Sequence, residues 1–474
     1  MKNARLTCFL FFLTLFGSNA YAQEEVVAAL DKKSEVYGSI AHQIWEYAEM
    51  GYLEQQSSAL LQKTLAEAGF KIEKGVAGIP TAFIAEYGSG FPVIGILGEY
   101  DALPGLSQEA KAVKSSAGGL AGHACGHHLF GTASAAAAIA AKDWLAANGN
   151  SGTIRFYGCP AEEGGSGKVY MVREGLFDDV DIALHWHPAS SNSASASAAL
   201  ANKSAKFRFY GVSAHAAGAP DKGRSALDGV EAMNVMVNMM REHIPQSARI
   251  HYVITDGGKA PNVVPDFAEV YYYARHGKRE VVIDIFDRIV KAAEGAALGT
   301  GTRMDYEMIG GTHELLPNLT LQRIMHANLS LVGGVTYADT EKDFANKIGA
   351  TLGVDKVDFE MAAAVQPFKE VGTPYGSTDV GDVSFAVPTG GLRIATWVPG
   401  TPAHSWQAVA AGGTSIGAKG MMVAAKTLAL TTIELLKRPE IAKKAREEFE
   451  EKRGKNFVYT PLLGDRKPAL DYRK

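Results

Sequence analysis

The alternation of apolar and polar positions predicts a first domain in which strands and helices follow one another. Short apolar runs such as "FPVIGIL", "GTIRFYG" and "DIALHWH" predict buried strands, and the alanine-rich residues 129–147 predict a helix. Strands that alternate with helices are typical of an α/β domain with a mixed, largely parallel sheet. Near the other end of the chain, "GLRIATWV" predicts one more strand of this sheet.

A different order of elements occupies the middle of the chain. "SAKFRFYGV" predicts a strand, which is followed by an amphipathic helix, two strands, a second helix and a final strand. The order β-α-β-β-α-β describes a compact α+β sheet covered by two helices on one face. We therefore predict an α/β domain formed by residues 23–202 and 317–474, with residues 203–316 inserted into it. The charged residues after about Lys452 are expected to wrap the surface.

The first 22 residues have the features of a signal peptide. Lys2 and Arg5 precede an apolar run, and Ala20 and Ala22 flank Tyr21 in the A-x-A pattern of a cleavage site. A membrane anchor is the alternative, but the run is shorter than the ~20 residues that a membrane span needs. We expect cleavage near Ala22, export to the periplasm or the medium, and no membrane association of the mature protein.

The charge of the chain argues against nucleic acid as a partner. The 474 residues carry a formal net charge of −4, and loss of the leader would remove two positive charges. No basic stripe is present, so nucleic-acid binding has no electrostatic support.

Polar clusters follow or end several of the predicted strands, at Asp101, "HACGHH", "AEEGG", "HWHP" and "GTPAHSW". Loops at the carboxyl ends of strands in an α/β sheet converge on one crevice, so these clusters can share a site. Thiolate, imidazole and carboxylate groups suit zinc or a similar divalent ion. Of the adjacent Glu162 and Glu163, one can bind an ion while the other takes a proton from a water activated by the metal.

Two alternatives remain open for Cys125 at this point. It could form a disulfide with Cys159 in an oxidising compartment. It could also be the nucleophile of a thiol hydrolase, with His127 as its base. The second alternative leaves the glutamate and distant histidine clusters without a role.

Five motifs in order, "GEYDALPG", "GHACGHHLFGTA", "AEEGGSGK", "AHAAGAPDKGRSALD" and "GTPAHSW", carry a resemblance to a known family. The chain resembles the amidohydrolase branch of the aminoacylase and carboxypeptidase metallopeptidases. The resemblance implies a catalytic domain that holds two divalent ions, zinc or manganese. It also implies that the inserted domain is a satellite domain that forms a homodimer.

The resemblance implies roles for individual residues of the catalytic domain. Cys125 would bridge the two ions, with Glu162 as general base and acid and Asp101 orienting a ligand. The other ligands would be His127, Glu163, His404 and one histidine of "HWHP", for which His187 is preferred over His185. The family often has an acidic residue or Asn where this chain has His128, which is either a bystander or a spare ligand.

The resemblance also implies roles in the inserted domain and a reaction. His215 would reach a neighbouring active site and stabilise the oxyanion, and Asn262 and Arg275 would bind a substrate carboxylate. The expected enzyme hydrolyses the amide of an N-acyl or aminobenzoyl amino acid, such as p-aminobenzoyl-glutamate, or of a dipeptide. The alternative is an exported, non-catalytic metal- or ligand-binding protein of the same fold.

Overall fold

The computed structural model describes residues 23–196, 198–372 and 376–474, so the predicted signal peptide lies outside the described residues. The helices are α1 (23–32), α2 (Ser34–Tyr47), α3 (Gln55–Glu67), α4 (His127–Asn148), α5 (Gly167–Arg173), α6 (Ala226–Met240), α7 (Arg279–Thr300), α8 (Leu319–Val332), α9 (Asp339–Thr351), α10 (Glu360–Ala363), α11 (Val380–Ala386), α12 (Trp406–Gly412), α13 (Ser415–Lys437) and α14 (Glu440–Arg453). The strands are β1 (Lys71–Lys74), β2 (Phe83–Ser89), β3 (Val93–Glu99), β4 (Leu103–Pro104), β5 (Ala121–Gly122), β6 (Gly152–Cys159), β7 (Ile182–Ala189), β8 (Ala201–Tyr210), β9 (Arg249–Asp256), β10 (Phe267–His276), β11 (Arg303–Thr312) and β12 (Thr389–Ala395). In the part of the chain that the structure describes, no helix is both long and apolar enough to span a bilayer.

The larger sheet has six strands in the order β1-β2-β6-β3-β7-β12. Strands β6, β3, β7 and β12 run parallel to one another, and β2 and β1 are added antiparallel at one edge. The predicted mixed, largely parallel sheet is confirmed. The apolar runs in the sequence did not predict β1 and β2, which are short or partly exposed.

Helices cover both faces of this sheet, which explains why its central strands are apolar almost throughout. The alanine-rich α4 packs against α13 and β3 on one face. On the other face, Val169 of α5 and Val383 of α11 lie in a second core cluster with Tyr157 of β6. Because the faces are covered, functional side chains of this sheet are expected near the ends of its strands.

The smaller sheet has the order β11-β8-β10-β9, and all of its strands are antiparallel. Helices α6 and α7 pack against it and share its core, which includes Phe207, Val230 and Ile289. The order along the chain is β8-α6-β9-β10-α7-β11, which is the predicted β-α-β-β-α-β arrangement.

The C-terminal tail after α14 lies largely at the surface, as expected, but it is anchored at particular residues. Leu462 and Leu463 are buried, and the last residues return to the larger sheet. The Tyr472 hydroxyl and an Arg473 guanidinium N–H both donate to the carbonyl oxygen of Glu163. The tail therefore contacts the segment in which the sequence predicts catalytic carboxylates.

Candidate metal centre and active site

A tight turn places Cys125 and His127 side by side at the start of α4. Gly126 between them has φ +78°, the left-handed region that glycine adopts readily. A Cβ atom at this position would come within 2.8 Å of the Pro188 ring. Glycine therefore allows both the turn and the close approach of β7, and the Cys125 sulfur lies 3.4 Å from Nε2 of His187.

Two overlapping sets of donor atoms surround the Cys125 sulfur. One set is Cys125, His127 and His187, and the other is Cys125, Glu163 and His404. Within each set the ligand atoms lie within 4.8 Å of one another. All five predicted ligands are thus brought together, and a thiol common to both sets is the arrangement that can bridge two ions.

The donor atoms that face this site are available to ions. Nε2 of His127 and Oε1 of Glu163 are buried and have no hydrogen-bond partner among the described residues. Buried polar atoms normally find partners, and a mixed set of sulfur, nitrogen and oxygen donors suits zinc and related divalent ions. The residues present therefore fit such ions.

Asp101 positions two members of these sets at once. Its Oδ1 atom lies 2.8 Å from Nδ1 of His127, and its Oδ2 atom accepts a hydrogen bond of 2.9 Å from the backbone N–H of Glu163. A carboxylate on one ring nitrogen fixes the tautomer and leaves the other nitrogen for an ion. Asp101 thus lies where the sequence placed a ligand-orienting residue.

The loop after β12 brings His404 to the second set. Its Nε2 atom lies 3.3 Å from Oε1 of Glu163, and its backbone N–H donates to the carbonyl of Ala124. His404 has φ +59°, a conformation that persists in a residue with a side chain only where the surroundings impose it. The hydrogen bond to Ala124 ties this loop to the turn that carries Cys125.

Glu162 belongs to neither set that contains Cys125, but it lines the same cavity. Burial, followed by the negative charges of Glu99 and Glu163, raises the pKa of Glu162 well above its usual value. A carboxyl group that holds a proton at higher pH is suited to general acid and base chemistry.

The remaining histidines of the two motifs lie outside these sets. His185 packs over Gly391, where any Cβ atom would lie 2.1 Å from its Nε2 atom. The Nε2 atom of His128 is paired with the carbonyl of Gly412 at 3.1 Å. The geometry thus places His187, rather than His185, beside Cys125, and it leaves His128 as a bystander.

The residues predicted from the inserted domain divide into two groups. Arg275 of β10 lines the same cavity of about 850 Å³ as Cys125 and Glu162. His215 and Asn262 do not line it, although they are neighbours, since the Ala216 N–H donates to the carbonyl of Asn262. Within one chain the structure therefore brings Arg275 to the site, but not His215 or Asn262.

The cysteine alternatives are not supported. Cys125 and Cys159 are both free thiols, so the disulfide hypothesis is wrong. Burial, and then the charge of Glu163, raises the pKa of Cys125. A nucleophilic cysteine needs the opposite shift, which disfavours an unassisted thiol hydrolase.

Comparison with known proteins identifies the family. Residues 95–328 match the family model described as peptidase family M20/M25/M40. The chain is also 43% identical over 450 residues to a subunit of the p-aminobenzoyl-glutamate hydrolase of Escherichia coli (strain K12), covering 89% of this chain and 94% of that protein. The chain belongs to peptidase family M20/M25/M40. It is a metal-dependent hydrolase of amide bonds, as the five motifs predicted, and the non-catalytic alternative has no support.

More distant members of the family extend the comparison. The Xaa-Arg dipeptidase of Mus musculus is 28% identical over 441 residues, covering 89% of this chain and 90% of that protein. The crystal structure of an aminobenzoyl-glutamate utilization protein from Klebsiella pneumoniae matches with a TM-score of 0.61 at 19% identity, over 86% of this chain and 97% of that one. A dinuclear metal-binding M20 peptidase from Bacillus subtilis matches with a TM-score of 0.58 at 18% identity, over 86% and 99%. At these identities the solved structures establish the fold.

Several residues around the site of this M20 protein were not predicted from the sequence. Glu99, Lys168 and Asp379 form a buried group of charges behind the ligands. Glu54 accepts a hydrogen bond from the Ala161 N–H, just before the glutamate pair. Glu99 could have been predicted as a site residue. Residues two apart at a strand end point to the same side of the sheet, and Asp101, two positions later, was already a candidate.

Proposed function

We propose that this protein hydrolyses the amide bond between an acyl or aminobenzoyl group and an amino acid with a free carboxylate. One observation carries the proposal: the thiol of Cys125 is common to two sets of ligand atoms beside the carboxyl group of Glu162. The name of the E. coli relative supports p-aminobenzoyl-glutamate as the first substrate to test.

We assign two divalent ions, zinc or manganese, to the two sets, with Cys125 common to both. The thiolate favours the softer ion and the carboxylate admits the harder one. When bound, such ions supply Lewis acidity and lower the pKa of a water ligand. His127 and His187 complete one set, and Glu163 and His404 complete the other.

We assign the proton transfers of the reaction to the carboxyl group of Glu162. Its carboxylate takes a proton from the attacking water and returns it to the amide nitrogen as the carbon–nitrogen bond breaks. The position of Glu162 supports this assignment, because its side chain lines the same cavity as the two sets but belongs to neither set that contains Cys125. Asp101 acts indirectly, by holding His127 and the backbone of Glu163.

Arg275 gives the cavity a group that suits a substrate carboxylate. It comes from β10 of the smaller sheet and lines the cavity. A guanidinium group can bind a carboxylate through two parallel hydrogen bonds. Its positive charge suits glutamate better than the basic residue in the name of the mouse relative.

We assign residues 203–316 to a satellite domain that forms a homodimer. Strand β9 is the edge of the smaller sheet, and its Val253 and Ile254 side chains are exposed, as is Met239 of α6. An exposed apolar edge strand favours pairing with another chain. In such a dimer His215 and Asn262 would serve the partner's cavity, with His215 donating to the developing oxyanion.

We also assign the protein to the periplasm or the medium, after cleavage near Ala22. The basic, apolar and A-x-A segments of the leader support this assignment. N-terminal sequencing of the exported protein tests it, and a mature chain that retains Met1 would exclude it.

The experiment for the activity uses purified residues 23–474. We expect hydrolysis of p-aminobenzoyl-glutamate that is lost on chelation and restored by zinc or manganese. The Glu162→Gln variant should retain both ions and lose at least about 100-fold in kcat, the lower range for a general base. Activity that survives chelation, or that survives the Glu162→Gln change, would exclude the mechanism. A metal-loaded wild-type protein inert on N-acyl amino acids and dipeptides would favour the binding-protein alternative.

A further inference from the structure

A buried carboxylate outside the predicted ligand set lies against the ion site. Glu99, the last residue of β3, is 1% exposed. Its Oε2 atom is 3.0 Å from Nε2 of His127, the ring nitrogen that faces the site because Nδ1 is paired with Asp101. Glu99, His127 and Glu162 offer ligand atoms that all lie within 4.8 Å of one another.

The approach of Glu99 to His127 does not have hydrogen-bond geometry. Both carboxylate oxygens of Glu99 and Nε2 of His127 are buried without a hydrogen-bond partner in the described ranges, and the contacts of Glu99 with His127 and Lys168 are ion pairs. An acceptor far from the N–H direction gains little from a short distance. Two buried polar atoms left in this way cost free energy unless both face a common partner.

A divalent ion is a partner that both atoms can face. Two donor atoms bound to one ion at roughly 2.1 Å, and at about a right angle to each other, are roughly 3.0 Å apart. The Glu99 and His127 atoms have this separation. At the wider angle of a tetrahedral site they would be roughly 3.4 Å apart. The separation of the two atoms thus fits the binding of one ion by both.

Lys168 holds the other half of the Glu99 carboxylate. Its fully buried ammonium group lies 2.6 Å from Oε1 of Glu99 and 2.8 Å from Oδ1 of Asp379. The backbone N–H of Lys168 also donates to Oδ2 of Asp379. The lysine offsets part of the negative charge and fixes the rotamer of Glu99, so that Oε2 points to His127.

From these contacts we infer that Glu99 is a further metal ligand, bound through Oε2 to the ion that Nε2 of His127 holds. The inference rests on the proposed metal-dependent function and specifies one of its two sites. It adds a hard oxygen donor beside the nitrogen of His127, which increases the affinity of this site for manganese relative to zinc.

The test compares metal binding in four proteins with that of the wild type. Glu99→Gln removes the charge with little change of size, and Lys168→Met removes the charge that faces it. The double variant removes both, so it leaves no unpaired lysine. Glu341→Gln is the matched control, because Glu341 is also a buried glutamate paired with a lysine, Lys419 at 2.6 Å, and does not line the cavity.

Apo proteins are titrated with Mn²⁺ and with Zn²⁺ by calorimetry, and bound metal is counted by mass spectrometry. We expect two ions per chain in the wild type and in Glu341→Gln. Glu99→Gln and the double variant should keep one ion and bind the other at least about 10-fold more weakly, with a larger loss for Mn²⁺ than for Zn²⁺. If Glu99 served only as the partner of Lys168, the double variant would bind both ions with wild-type affinity, and the inference would be overturned.

A crystal structure of the metal-loaded wild type decides the matter without any variant. Oε2 of Glu99 within roughly 2.3 Å of an ion would support the inference, and a distance beyond roughly 3 Å would overturn it. In that second case, two bound ions and active hydrolysis would leave the proposed function intact. A wild-type protein that binds no ion would instead contradict the proposed function itself.

Discussion

Replacement of Asp101 by Asn removes a charge but keeps the size of the side chain, so it tests how the two ligand sets are positioned. The wild-type carboxylate accepts from His127 through Oδ1 and from the Glu163 N–H through Oδ2. An amide has one acceptor oxygen and one donor nitrogen. The substituted side chain can therefore satisfy one of these two partners but not both.

Either orientation of the amide damages the metal site. If the oxygen faces His127, the NH₂ group points at the Glu163 N–H, and a buried donor is left without an acceptor. If the NH₂ group faces His127, Nδ1 of the ring must become the acceptor, and the proton moves to Nε2, the nitrogen that an ion needs. The first case costs about 1–3 kcal/mol of the free energy of unfolding and loosens the hold on the Glu163 backbone.

Calorimetric titration of the apo protein measures this effect directly. We expect Asp101→Asn to weaken metal binding by roughly 10- to 100-fold, the range for residues that orient metal ligands. A high metal concentration should restore part of the kcat of the variant. Asp382→Asn is the matched control, because Asp382 is also buried and accepts two hydrogen bonds, from the His313 N–H and the Tyr459 hydroxyl. Wild-type affinity in Asp101→Asn, or an equal loss in the control, would refute the reasoning.

Two further predictions concern the tail and the effect of pH. Deletion of residues 470–474 removes both donors to the Glu163 carbonyl, so we expect kcat to fall by about 10-fold with the fold intact by circular dichroism; Tyr472→Phe, which removes one hydrogen bond worth about 1 kcal/mol, should lose less, and an unchanged kcat on deletion would contradict the role. Burial raises the pKa of Asp382 to about 7, so the folded protein keeps a proton that the unfolded chain releases near pH 4. The stability contribution of Asp382 is therefore greatest below about pH 4 and is lost as the pH rises to about 7. Thermal unfolding of Asp382→Asn should lack this component, and parallel stability–pH curves for the two proteins would disprove the assignment.

Much of the fold could be predicted because its signals are local. The apolar runs of β3, β6 and β7 are buried between two layers of helices, so burial leaves a nearly continuous apolar pattern in the sequence. Strands β1 and β2 carry no such signal, because β1 is largely exposed and β2 lies near the edge of the sheet. Their presence depends on pairing with β6, which a local pattern does not reveal.

The residues of the two donor sets could be predicted because their side chains suit metal ions and the motifs that hold them fall near strand ends. His187 lies near the end of β7, within the strand that "DIALHWH" predicts. Its choice over His185 came from the family resemblance, and the register supplies the physical reason. Residue 187 is level with Arg393 at the cavity, whereas His185 lies beside Gly391, where only a glycine leaves room for the imidazole ring.

The supporting residues were harder to predict, because each acts through a partner that is distant in sequence. The sequence around Lys168 gives no sign that its ammonium group is buried, and its role depends on Asp379, which is 211 positions away. Tyr472 and Arg473 hold a carbonyl more than 300 positions earlier. A metal ligand is recognised by its own chemistry, but a residue that orients it is defined by the geometry of a contact. The sequence therefore reveals the donor residues of this site more readily than the contacts that position them, and mutations of Asp101, Glu99 and the tail test those contacts.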